Sequence, residues 1–207
     1  MTHPKTAIIH YSAPPVIGGV EAVIQAHVAV MARLDYPVTV VAGRGEIDAL
    51  PGPADLELLP LIDSQHPEIL EASKALDEGD VPPNFDKLTR RIQHELTPVL
   101  QPFDNVIIHN IFTKHFNLPL TAALHRLLDD GVIRHGIAWC HDFSWTSPSS
   151  GHKVYPSYPW NLLRTRREEV TYVVVSKQRR QTLADLFECP PEKIHVVYNG
   201  VDPQTLL

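Results

Sequence analysis

The chain reads as an α/β protein built on one parallel sheet with helices on both faces. Three observations predict it. Short apolar runs alternate with helical patterns along the whole sequence, the order that builds a parallel sheet through crossover helices. The runs Thr6–Tyr11, Val38–Ala42, Asp104–His109 and Thr171–Val175 lack a polar face, as strands covered on both sides require. Polar residues or glycine stand where those runs stop, at His10 and Tyr11, Gly43, His109-Asn110, His141-Asp142 and Ser176. Open parallel sheets bind their ligands at those carboxyl ends.

Thr6–Tyr11 is the first strand. Gly19–Leu34 follows as a helix, with Val20, Val23, Ile24, Val28, Met31 and Leu34 at helical spacing. The loop Ser12–Glu21 between them carries Gly18-Gly19 at the strand-to-helix switch. Glycine there admits a close backbone approach, and the free N–H groups of a helix start favour an anion. The same pair also serves a simple tight turn. Val38–Ala42 is the second strand, Arg44–Pro53 a Gly/Pro loop, Leu56–Leu59 a short strand and Leu61–Pro67 another loop. Glu68–Leu76 predicts a helix and Asp77–Pro83 a polar break. Asn84 is placed to cap a helix whose apolar face is Phe85, Leu88, Ile92, Leu96 and Val99. Its opposite face carries Lys87, Arg90 and Arg91. That suits a solvated surface and leaves open a peripheral contact with an anionic membrane.

Asp104–His109 is a strand, Leu118–Leu128 a helix stopping near Gly131, and Val132–Cys140 contains the next strand. The Thr146–Pro159 stretch reads as a long loop, where function often resides. Its flanking aromatics Trp145, Tyr155, Tyr158 and Trp160 suit either stacking on a ligand or packing the loop down. Trp160–Arg167 is a short basic helical segment and Thr171–Val175 a strand. Ser176 is placed to cap the helix Lys177–Phe187, and Lys193–Val197 is the last strand before Asn199-Gly200-Val201-Asp202.

Bulk properties narrow the classes. The 207 residues, with 43% hydrophobic content and no internal repeat, fit one domain. A net charge of −6 gives no footprint for nucleic acid. Cys140 and Cys189 make neither a disulfide framework nor a CxxC pair. Neither a leader nor an apolar run of the ~20 residues that span a membrane is present. A cytoplasmic location is expected.

Three kinds of chemistry fit strand-end polar residues. Dinucleotide redox chemistry needs a G-x-G-x-x-G turn and an acid ending the second strand; the loop lacks that spacing, and the strand ends in Ala42-Gly43. A metallohydrolase could use His10, His109, His141 and Asp142, residue types that suit zinc or iron, but no HxH or HxxxH pair joins them. A nucleotide-sugar transferase would set the glycine loop against a diphosphate.

Gly18-Gly19-Val20-Glu21, His109-Asn110, Trp139-Cys140-His141-Asp142, Val173-Val174-Val175-Ser176 and Asn199-Gly200-Val201-Asp202 occur in an order and spacing that resemble the N-terminal domain of family 4 retaining glycosyltransferases. The resemblance covers nearly the whole chain. It implies a Rossmann-like domain, the N-terminal half of a GT-B fold, over residues 1–198, with 199–207 starting the interdomain hinge. It implies that Gly18 and Gly19 lie against the donor diphosphate, and that His141 reaches a hydroxyl of the donor sugar as the catalytic residue. Alternatively, His141 orients its own loop with Asp142 as partner. His109, Asn110 and Asp142 would line the acceptor side or support its loops. Glu21 would reach a substrate hydroxyl or favour the first turn of its helix. Neither metal nor cofactor is implied beyond the nucleotide-sugar donor, and the acceptor is a sugar, lipid or small molecule. The donor-binding C-terminal domain, with its basic residues and E-x₇-E, is missing from the chain, which on this reading does not turn over alone. A non-catalytic binding module of the same fold is the alternative.

Overall fold

A computed structural model describes residues 3–200. Seven parallel strands form one sheet: β1 (Thr6–Ile9), β2 (Val38–Ala42), β3 (Asp55–Leu58), β4 (Asn105–His109), β5 (Gly136–Cys140), β6 (Val170–Val174) and β7 (Ile194–Val196). Their order is β3-β2-β1-β4-β5-β6-β7. The chain adds β2 and β3 on one side of β1, then crosses back and adds β4 to β7 on the other. This reversal opens a crevice above the ends of β1 and β4.

The helices are α1 (Gly19–Arg33), α2 (Pro67–Asp77), α3 (Phe85–Leu100), α4 (Leu118–Asp129) and α5 (Lys177–Leu186). The reversal sends α1 to one face and the helices made on the return to the other, as crossovers of the usual right hand do. Two cores record this. Ile9, Ile108, Ala138 and Val174 pack with Ile69 of α2, Ile92 of α3, Leu124 of α4 and Leu183 of α5. Ile8, Val40 and Ala42 pack with Ile24 and Val28 of α1. Neighbours such as Ile8 and Ile9 enter different cores because strand side chains alternate. Helices therefore cover both faces as expected, though unevenly.

Several local expectations need correction. β3 is an edge strand with Leu58 45% exposed, so the lack of a polar face does not extend to it. Asp55 and Glu57 place charge along that edge, which discourages pairing with another chain. Asn84 stands at the start of α3 but makes no side-chain cap bond; its φ of −86° and ψ of 0° are already helical. Ser176 is extended and does cap α5, its hydroxyl accepting from Arg179 N at 3.1 Å. The buried stripe of α3 ends on Leu100, with Val99 only partly buried. Trp160–Arg164 is a 3₁₀ turn and not an α-helix. Trp160 is buried, Tyr155 meets it edge-on, and Trp145 Nε1 donates to its carbonyl at 3.3 Å. These aromatics hold the loop to the body. Gly131, at a φ of 70°, ends α4 as expected.

Arg90 and Arg91 are paired with Asp86 and Glu68, each at 2.6 Å, so most of the positive charge expected on α3 is neutralised. Among the described residues no helix is long and apolar enough to cross a membrane. The cysteines are free. Of the expected hinge over 199–207, Val201, Asp202 and the residues after them lie outside the described residues.

Candidate functional site

Parallel pairing sets Ile9 beside Ile108 and His109 beside Trp139, so β1, β4 and β5 end together and each brings a histidine to the crevice. His10 Nδ1 lies 2.8 Å from the carbonyl oxygen of His109, which makes that nitrogen the N–H donor. His109 Nδ1 lies 3.3 Å from His141 Nε2, with the rings stacked at 5.5 Å. His27 from α1 and Trp139 close the other flank of His109, at 5.2 and 5.7 Å.

Burial pushes the His141 imidazole down to about 4, although the nearby Asp142 charge pulls upward. It pushes His109 well below the ordinary histidine value, with His27, His141 and His10 adding to the effect. His10 is lowered by burial too, against the His109 carbonyl and Glu21. All three rings are neutral at pH 7. Since His109 Nε2 is buried without a partner, a proton there would be a stranded donor, which is costlier than a stranded lone pair. The hydrogen-bond network thus assigns the proton to His109 Nδ1, donating to His141 Nε2. His141 then carries its own proton on Nδ1 and can donate from the opposite edge of its ring.

Asn110 holds this arrangement. Its backbone is left-handed, at a φ of 55°, a conformation asparagine tolerates better than most residues. Its Oδ1 accepts from His141 N and Asp142 N, both at 3.0 Å. Thr113 Oγ1 adds a bond to the Asp142 carbonyl at 2.7 Å. The Asp142 carboxylate accepts from Arg179 at 2.8 Å. Asp142 is therefore not the orienting partner of His141; His109 and Asn110 fill that place.

The glycine pair divides its work. Glu21, in the first turn of α1, accepts from Ser12 Oγ at 2.5 Å and lies 3.9 Å from His10 Nε2. Its carboxylate folds back over Gly18, where any Cβ would collide with it. A Cβ at Gly19 would meet nothing within 4 Å. Gly18 makes room for Glu21, and Gly19 is the open start of the helix.

His10, Glu21, His109, Asn110 and His141 thus form one contiguous network, with Asp142 at its edge. Among the described residues no three or more His, Cys, Asp or Glu side chains gather as metal ligands, so the set His10, His109, His141 and Asp142 does not assemble into a metal centre. Sequence reasoning missed Ser12, His27 and Arg179. His27 shares the inward stripe of Ile24 and Met31 and was discoverable there; the other two carry no local signal. It also missed Ser144, whose hydroxyl lies 2.7 Å from His115 Nδ1, with His115 Nε2 3.9 Å from Asp77. That order imitates a hydrolytic triad, but Ser144 is 0% exposed and accepts from His115 N at 3.1 Å. It locks the turn after β5.

The fold defines a Rossmann-like α/β domain with a crevice at the strand-order reversal. The chain belongs to Glycosyltransferase Family 4, whose family model matches residues 17–205. Among solved structures it is similar to WaaG, a glycosyltransferase involved in lipopolysaccharide biosynthesis, with a TM-score of 0.60 and 13% identity. That match covers 96% of this chain and 46% of WaaG. It shows the fold, one half of a GT-B architecture. The UDP-GlcNAc 2-epimerase from Neisseria meningitidis matches at a TM-score of 0.45 and 16% identity, over 94% of this chain and 46% of that one. A putative UDP-N-acetylglucosamine 2-epimerase from Listeria monocytogenes matches at 0.46 and 12%, over 93% and 44%. No curated protein matches the chain. The chain spans about half the length of these solved structures.

Proposed function

We propose that this chain is the acceptor-side half of a nucleotide-sugar-dependent glycosyltransferase that transfers its sugar with retention. The observation that carries the reading is the His109–His141 pair, linked through His10 and Glu21 to the first turn of the helix that Gly19 opens. It sets a neutral hydrogen-bond donor and an anion-favouring site in one crevice. The donor diphosphate lies at Gly19, with Gly18 shaping the approach, and His141 donates from Nδ1 to a hydroxyl of the donor sugar. Such a site works by stabilising the departing nucleoside diphosphate and an oxocarbenium-like sugar. Glu21, His109 and Asn110 hold the wall in place, and Asp142 faces the acceptor, a sugar, lipid or small molecule. Neither metal nor cofactor beyond the donor has a part in the reading.

Residues 1–198 form the domain and 199–207 lead to a second, donor-binding domain that supplies the other wall. Free cysteines suit a cytoplasmic location. The 207-residue chain alone is expected to show no steady-state transfer. The test is a screen of nucleotide sugars and acceptors with the complete polypeptide, with His141→Ala as control. Loss of about 10²-fold or more in turnover in that variant supports the role of His141; unchanged turnover removes it from the mechanism.

A further inference from the structure

Lys114 lies on the segment joining β4 to α4, directly after Thr113, which bonds the Asp142 carbonyl. Although a lysine, it is only 8% exposed. Its ammonium sits over the Phe116 ring, 4.6 Å from the centroid, and among the described residues no carboxylate pairs with it. Asp142, the carboxylate whose charge acts on it, is taken by Arg179 at 2.8 Å. The lysine stem is buried, but Nζ is not among the buried polar atoms without partners, so an unpaired cation reaches the surface. Burial lowers its proton affinity, Asp142 raises it and Arg179 lowers it further, so both charged groups stand close by.

The ledge is continuous with the crevice. Phe116, 43% exposed, meets Tyr11 edge-on at 6.1 Å, just beyond the end of β1. Arg179 leans over Phe143 at 5.4 Å and borders Asp142 from the start of α5. With Asp142 committed to Arg179, the positive charge of Lys114 is left over beside an exposed aromatic face. An apolar ring face and one cation, at the mouth of a site read as sugar-transferring, match a sugar or polyol that carries an anionic group.

We infer that Lys114 and Phe116 form an acceptor subsite for a sugar or polyol bearing a phosphate or carboxylate, the anion on Lys114 and the ring on Phe116. The inference rests on the glycosyltransferase reading for the word acceptor, but its test needs no turnover. Amide NMR spectra of the full chain would be followed while adding glucose 6-phosphate, glucuronate, glucose or inorganic phosphate. The expected result is a saturable shift of the Lys114 and Phe116 amides with glucose 6-phosphate or glucuronate, weaker with inorganic phosphate and absent with glucose. The first two probes tell phosphate from carboxylate. Lys114→Met should weaken binding by roughly 10-fold or more, the range of a lost charge-assisted hydrogen bond, and Phe116→Ala should weaken it less. Lys114→Gln provides a second removal of charge if the methionine variant folds poorly. Overturning results are no shift at these amides with either anionic sugar, an equal shift with glucose, or unchanged affinity in a folded Lys114 variant. Anion binding without transfer activity in the complete polypeptide would sink the enzymatic reading and leave the subsite standing.

Discussion

One methyl group added in turn to each glycine of the Gly18–Gly19 pair separates their two jobs. In Gly18→Ala the new Cβ collides with the Glu21 carboxylate, whose carbon lies 2.9 Å away. The carboxylate must turn away, which strains or breaks the 2.5 Å bond that its other oxygen accepts from Ser12. Breaking a buried bond to a charged group costs about 1–3 kcal/mol, while alanine returns about 0.4–1 kcal/mol by restricting the unfolded chain. The net expectation is a loss of roughly 0.5–2 kcal/mol, or a few degrees in Tm for a domain of this size. Gly19→Ala enters open space at the first turn of α1 and should gain about 0.4–1 kcal/mol. Urea unfolding of the chain and both variants measures the difference. The Gly18→Ala penalty should vanish in a Glu21→Ala background, where nothing remains to collide with. An equal penalty in both backgrounds, or equal stability of the two alanine variants, refutes the division of labour.

Asn110→Ala removes both acceptor bonds to the turn after β5 and puts a residue less tolerant of φ 55° in its place. Stability should fall by about 1–3 kcal/mol, and hydrogen exchange at the His141 and Asp142 amides should quicken; unchanged protection there counts against the clamp. Acid should destabilise the protein well above the carboxylate range. His115, His125 and His141 are all pushed from 6.5 down to about 4, chiefly by burial. The unfolded chain therefore binds more protons between those values, and stability rises with pH across that window. Each histidine contributes up to about 3 kcal/mol, fully present above 6.5 and lost on reaching 4. A flat urea midpoint between pH 6.5 and 4.5 would contradict this. Nitrogen NMR at pH 7 should find the His141 proton on Nδ1 and the His109 proton on Nδ1; a proton on His141 Nε2 would reverse the donor assignment.

The sheet and its helices were legible because their signals are local: apolar runs for the strands, spaced apolar stripes for α1, α3 and α4. Strand-end residues were legible for a related reason, since a parallel sheet always turns those ends toward its ligand. What each residue does there was not. Asn110 reads as a substrate contact until the turn after β5 is placed over it, and Asp142 as a partner of His141 until Arg179 comes within 2.8 Å from α5. Asn84 and Ser176 look alike as helix starts, yet only Ser176 has the extended backbone a cap needs. That backbone comes from the strand before it, and Asn84 follows a proline turn. Lys114 carries no pattern at all, because its burial depends on Phe116 and on the loop from β5.

The position of β1 has a consequence for synthesis. It leaves the ribosome ahead of both its partners, and β2 follows soon after, but the bond between His10 and the His109 carbonyl joins residues 99 apart. At about 5–20 residues per second, β1 waits roughly 5–20 s for β4. Throughout that interval it has one unpaired edge, and the crevice has only one of its sides. A nascent chain is thus most open to strand mispairing, and most in need of a chaperone, before α3 is complete.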